Sequence, residues 1–378
     1  MEERGPSKAD YTLVSGAKKN VGDFLIYERA KKLLEKHLGT NRFLTINRWE
    51  RATKHLTKIN ESKAVIICGG PGYSHNFFPD VYNFLLDFEK IEVPVIPLGL
   101  GWIGRPMYHP ETFSFTDESI NMIKKVHDRC GMSSCRDVLT EKILKRHGLE
   151  NLTMTGCPVW YELDYIGKPF IPPDGIEKIT VSLPPNPIYF KQALYLASET
   201  KREFPEASIT CAFHRGIEKD EHTLKGKGQA LKKLRNRLEG SGFSCIDTSY
   251  DTSKIEYYKN CDLHVGYRVH AHIYFLSVRK PTFLISIDGR GTGVSKTMGT
   301  EDVPACSESS ANMIDRLRYF PGMGRMSGGI LTTGKPVDRL LKIINKQKQE
   351  GFTSFKTITK LIDDHYQVMT DFIKEIPR

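Results

Sequence analysis

Arg268 and His270 stand two residues apart in the stretch CDLHVGYRVHAHIYFLSVRKPTFLISIDGRGTGVSKTMG, residues 261–299. A guanidinium and an imidazole at that spacing could bind an anion and move a proton. Residues 262–267 read as a short buried strand. Residues 269–278 have helical spacing, with Val269, Ile273 and Leu276 on one side, and 281–287 read as the next strand. The pair therefore falls where a strand ends and a helix begins. Backbone N–H groups and the helix dipole favour an anion at such a place. The expected ligand group is a phosphate or a carboxylate. Arg136 occupies a similar position, between a short strand over 132–135 and a helix over 138–147. Asp23 lies at the start of a helix over 25–38, where capping and a catalytic role are both open to it.

Two glycine-rich turns are expected beside these residues. CGGPGY places Gly69, Gly70 and Gly72 after a strand over 64–68, where backbone could approach a ligand closely. GLGWIG follows a strand over 93–98 and carries Trp102, which could stack on a sugar ring or pack over the core. His264 and His272 read as packing residues. GRGTG at 289–293 reads as a flexible loop, because no dinucleotide-binding context surrounds it.

These residues need a scaffold of alternating strands and helices. Strands are expected at 11–15, 40–49, 64–68, 93–98, 132–135 and 152–155, then at 179–183, 208–213, 243–246, 262–267 and 281–287. Helices fall between them. The pattern defines an α/β chain of two doubly wound, Rossmann-like domains facing across a cleft. The boundaries are 1–170, 171–305 and a helical extension over 306–378, with a linker near 167–175. The extension should hold helices at 309–318, 337–349 and 354–374 and a glycine-rich loop over 323–334.

The 378 residues carry a net charge of +10, with 26% charged and 39% hydrophobic residues. That balance fits a globular protein with anionic partners. The eight cysteines occur singly, with no zinc-type spacing. No apolar run approaches a membrane span, and the N-terminus lacks the apolar core of a signal peptide. A cytoplasmic location follows as an expectation. The basic segment 225–237 reads as a solvated outer face, with peripheral contact at the inner membrane face as the rival reading. Nucleic acid is not expected, because no aromatic–basic interleaving or known module occurs.

Four motifs, in order, resemble the polysaccharide pyruvyl transferase family. NVGD at 20–23 is similar to the family's N-terminal loop, and CGGPGY to its glycine loop. SCRD at 134–137 is similar to its serine/arginine/aspartate element. Arg268-Val269-His270-Ala271, the helix and strand that follow, and Lys296 resemble its C-terminal signature. The resemblance spans about residues 11–300. Cys157 stands where the family often has aspartate. The resemblance implies a fold like that of two-domain glycosyltransferases (GT-B-like), phosphoenolpyruvate as co-substrate, and no cofactor or metal. The product would be a cyclic pyruvate ketal on a polysaccharide or lipid-linked glycan. On this reading Arg268, Arg136 and Lys296 hold the donor's anionic groups, with Asn20, Gly70 and Gly72 lining the site. His270 is the acid and Asp23 the hydroxyl base. The alternatives are a glycosyltransferase using a nucleotide sugar and a non-catalytic glycan-binding subunit.

Overall fold

The computed structural model describes residues 8–104, 110–223, 227–307 and 333–378. The first sheet contains β1 (Tyr11–Ser15), β2 (Phe43–Asn47), β3 (Val65–Tyr73), β4 (Val95–Trp102), β5 (Ser133–Cys135) and β6 (Leu152–Met154). All are parallel, in the order β2-β1-β3-β4-β5-β6. The second sheet contains β7 (Lys178–Ser182), β8 (Ser208–Phe213), β9 (Ser244–Asp247), β10 (Leu263–Gly266), β11 (Thr282–Ser286) and β12 (Val303–Pro304). It too is parallel, in the order β12-β11-β10-β7-β8-β9. Each sheet reverses its winding once, between β1 and β3 and between β7 and β10. Ligands of open parallel sheets bind beyond the strand ends at that reversal.

The helices are α1 (Val21–Leu38), α2 (Leu56–Asn60), α3 (Asp117–Cys130), α4 (Val138–Arg146), α5 (Phe190–Glu203), α6 (Lys227–Gly240), α7 (Val269–Ser277), α8 (Gly289–Met298), α9 (Lys335–Gln349) and α10 (Ser354–Lys374). α1 buries Leu25, Ile26, Ala30, Leu33 and Leu34 along one face and ends at Gly39, whose φ of 69° only glycine adopts readily. All nine residues of α7 are buried, which suits a mainly apolar sequence that carries only His270, His272 and Ser277 as polar residues. α9 packs on β11, β12 and α5, while α10 returns to α1 and α7. The Tyr11 hydroxyl donates to the Pro377 carbonyl at 2.7 Å, tying the C-terminus to the first strand.

Three expectations change. β3 and β4 run straight through their glycines, paired Gly70 with Leu100 and Pro71 with Gly101, so the two expected loops are one extended parallel ribbon. α1 begins at Val21, four residues early, because the Val21 N–H donates to the His214 carbonyl of the other half at 3.0 Å. GRGTG is the first turn of α8, capped by Asp288, whose side chain accepts from Arg290 N–H. The expected helix over 309–318 and most of the loop over 323–334 lie outside the described residues. No helix among the described residues is long and apolar enough to cross a membrane.

Candidate functional site

The two winding reversals meet. Asn20 follows β1, and Arg268 follows β10. Arg268 Nη2 donates to Asn20 Oδ1 across the halves. Asn20 is the residue before α1, yet its side chain makes no cap bond there. A Cβ on Gly22 would lie 2.6 Å from His270 Nδ1, so only glycine lets the first turn of α1 approach the imidazole this closely. The domains are also docked beside this point. Gly289 N–H donates to the Gly104 carbonyl at 3.0 Å, and Val138 N–H to Thr297 Oγ1 at 3.1 Å.

Arg268 is buried, and its side-chain partner is a neutral amide. Among the described residues no carboxylate lies within ion-pair distance of it. Burial, then the Arg215 and Arg290 charges, hold its pKa well below the guanidinium range. Arg215 follows β8 and keeps surface exposure. Enclosure by the surrounding walls still lowers its pKa first. Asp23 opposes that, while Arg290 and Arg48 add to it. Arg290 sits in the first turn of α8 and forms two bonds to Asp288, at 2.9 and 2.6 Å. Burial pulls its pKa down, but Asp288 and then Asp23 outweigh that and raise it. Arg268, Arg215 and Arg290 thus face Asp23 and Asp288, three guanidiniums against two carboxylates. Concentrated cations with few counter-charges mark an anion site.

His270 is buried, and its Nε2 has no hydrogen-bond partner. Burial, then Arg290, Arg136 and Arg268, push its pKa well below the usual value. The ring is therefore neutral while the site is without an anion. Arg136 is fully buried beside Gly101. Its Nε bonds Asp137 at 3.1 Å and its Nη2 the Trp102 carbonyl at 3.0 Å, but Nη1 is unpartnered. Trp102 Nε1 and His214 Nδ1 are also buried without partners. Orphaned polar atoms on this scale are unusual in folded proteins and call for a ligand or water.

The structure brings together Asn20, Asp23, Arg268 and His270, with Arg136 acting on His270 through its charge. Asp23 lies in the first turn of α1, half-buried, and acts on Arg268, Arg215 and Arg290. Gly70 has φ of 90°, and a Cβ there would meet only Ile26 Cδ1, at 4.0 Å. Gly72 serves packing instead: a Cβ there would lie 2.6 Å from the Tyr82 hydroxyl and 2.8 Å from Leu100. Lys296 is not part of the cluster. It is exposed on α8, where it lines a different cavity with α9 and α10. Trp102 is buried against Phe113, so it is a core residue and no stacking platform. Sequence reasoning missed Arg215 and Arg290. Both follow strand ends, and that placement was the available signal. Among the described residues no three His, Cys, Asp or Glu side chains gather as a metal set.

Two Rossmann-like domains whose winding reversals share one cationic site define a GT-B-like architecture. The chain belongs to the polysaccharide pyruvyl transferase family, whose model matches residues 20–289. Membership makes it a transferase of polysaccharide biosynthesis with a glycan acceptor. Among solved structures it is similar to the S. aureus MnaA–UDP complex, with 9% identity and a TM-score of 0.48, covering 91% of this chain and 97% of that one. It is similar to the UDP-GlcNAc 2-epimerase of Methanocaldococcus jannaschii, with 13% identity and a TM-score of 0.46, covering 89% and 99%. The UDP-GlcNAc 2-epimerase of Neisseria meningitidis bound to UDP-GlcNAc matches at 10% identity and a TM-score of 0.42, covering 89% and 99%. No curated protein matches the sequence.

Proposed function

We propose that the protein transfers the pyruvyl group of phosphoenolpyruvate to two hydroxyls of a glycan, forming a cyclic ketal and releasing phosphate. The observation that carries this reading is the surplus of guanidinium charge where the two winding reversals meet. Phosphoenolpyruvate concentrates a phosphate of about −2 and a carboxylate in a small volume, and arginine forks suit both groups. Arg268, oriented by Asn20, Arg215 and Arg290 would hold them. Arg136 would add its free Nη1.

The chemistry adds a proton to the enol carbon and a sugar oxygen to the neighbouring carbon. Phosphate then leaves, and the second hydroxyl closes the ring with loss of its proton. Asp23, at the half-exposed edge, is placed to take a hydroxyl proton. His270 is neutral beside three cations. A bound phosphate would offset those charges and raise its pKa, so the imidazole gains its proton when the donor arrives. No metal or cofactor enters this scheme.

Incubation with phosphoenolpyruvate and a panel of galactosides, mannosides and N-acetylhexosaminides, scored for phosphate release and for product mass, tests the reading. Phosphate released only with a diol acceptor, and a product heavier by one ketal, would support it. Turnover of nucleotide sugars instead would replace it with the glycosyltransferase reading. The expected cytoplasmic location and membrane contact remain part of the proposal. Exposed Lys232, Lys233 and Arg237 on α6 support the contact, while Leu231, Leu234 and Leu238 anchor the helix inward.

A further inference from the structure

Three consecutive residues of the first half, Lys19, Asn20 and Val21, touch three separate points of the second. Asn20 accepts from Arg268. The other two hold the turn after β8 on either side of Arg215. Val21 N–H donates at 3.0 Å to the carbonyl of His214, the residue before Arg215. Lys19 lies against Gly216, the residue after it. A Cβ on Gly216 would stand 2.8 Å from Lys19 Cε and 3.2 Å from Nζ. Gly216 also has φ of 78°, so both the turn and the close approach need glycine there.

Lys19 is 7% exposed, and lysine is seldom buried unless paired. Its ammonium has three donors, and three acceptors meet them. They are the Glu218 carbonyl at 3.2 Å, Asp220 Oδ2 at 2.6 Å and Thr223 Oγ1 at 2.7 Å. Its own carbonyl accepts from Tyr250 N–H at 3.0 Å, and the Tyr250 hydroxyl donates to Asp220 Oδ2 at 2.8 Å. Tyr250 holds φ of 69° within this ring of bonds, a conformation that persists in a bulky residue only where its surroundings fix it. Burial raises the Asp220 pKa, but Lys19, Tyr250 and Thr223 outweigh it and hold the carboxyl below its usual range. Ile217 N–H donates to Asp247 Oδ2 at 2.8 Å and pins the turn from its own half. Lys19 therefore keeps no donor for a substrate. Arg215 is the opposite case: among the described residues no carboxylate lies within ion-pair distance of its guanidinium.

We infer that Lys19 is a positioning residue: by clamping residues 216–223 across the domain boundary it sets where Arg215 stands. Residues 19–21 of the first half then place two arginines of the second, Arg215 and Arg268. This rests on the arginine cluster being the anion site for the donor.

Titration calorimetry on the full chain tests the inference, with phosphoenolpyruvate and inorganic phosphate as probes. Lys19→Met keeps the reach of the side chain and removes its three bonds. It should weaken phosphoenolpyruvate binding about tenfold, the worth of one charge-assisted hydrogen bond from a displaced guanidinium. Asp220→Asn breaks the same clamp from the loop side and should act alike; it carries the test if Lys19→Met does not fold. The deciding readout is a double-mutant cycle with Arg215→Ala. With Arg215 gone, Lys19→Met should change affinity by less than about twofold. A general loss of docking would instead weaken binding equally in both backgrounds, and that result would overturn the inference. So would parental affinity in the folded Lys19→Met and Asp220→Asn proteins. If the parent bound phosphate but not phosphoenolpyruvate, the donor reading would fall, and the same cycle on phosphate would judge the clamp. Binding of neither anion would overturn both.

Discussion

At the first winding reversal the chain presents an amide, a missing side chain and one carboxylate: Asn20, Gly22 and Asp23. At the second it presents Arg268 and His270, with Arg215 and Arg290 from neighbouring strand ends. One sheet contributes shape, close approach and the Arg136 charge behind His270; the other contributes the remaining guanidiniums. Neither half makes a site alone, because Arg268 is oriented by Asn20 and His270 is backed by Gly22. The site therefore exists only while the halves are docked, and separate attacks on each half should have different signatures.

The largest effect is expected on the charged side. His270→Gln should fold and lose turnover by about 10²–10⁴, the range for losing a positioned acid. Steady-state phosphate release with a parental Tm checks this; near-normal turnover would make His270 a packing residue. Arg268→Ala should instead weaken the donor itself, by about 2–5 kcal/mol in calorimetry with phosphoenolpyruvate. Unchanged affinity would remove the anion-site assignment.

On the other side, Gly22→Ala adds no charge and removes none. Its Cβ would crowd His270 to 2.6 Å, so the ring or α1 must move. Misplacement of that size can cost about 10²-fold in rate. Turnover should fall more than donor affinity. A fully active Gly22→Ala enzyme would show that the halves need not touch.

Part of this was legible in the sequence. Strand-to-helix turns place Arg268 and His270, and local periodicity finds α10 at its observed bounds and β8 likewise. The glycine segments misled because a parallel partner, not local propensity, keeps β3 and β4 extended through Tyr73 and Trp102. α8 was hidden because three glycines weaken any helical signal, while Asp288 capping and packing against Asp137 restore the helix. Lys296 could be placed only by seeing which face of α8 meets the cleft.

Acid should destabilise the protein. Burial first depresses the pKa of His214, His264 and His270, with nearby arginines adding to it at His214 and His270; burial also lowers His127, to about 4, and His272. A depressed histidine stays neutral when folded and protonates when unfolded. Stability is thus full above the unfolded value near 6.5 and declines as pH falls toward the folded values, by about 1.4 kcal/mol per pH unit for each such group. Thermal melts from pH 8 to pH 5 should show the decline. Phosphoenolpyruvate should lessen it, because an anion lets His270 keep its proton when folded. A flat profile would mean that these rings are hydrated in solution.

The smallest effect is expected at Lys296. It lies six residues beyond Arg290 on α8, roughly 240° round the helix. That turns it to the outer face, where it is exposed at the edge of the second cavity. A solvated charge on the far side of a helix is largely screened within a Debye length of about 8 Å. Lys296→Ala should therefore change donor affinity by less than about 0.5 kcal/mol, as for ordinary surface substitutions. A tenfold loss in calorimetry would require α8 to turn toward the cleft when phosphoenolpyruvate binds. The split between a charged and a shape-giving half would then describe only the ligand-free protein.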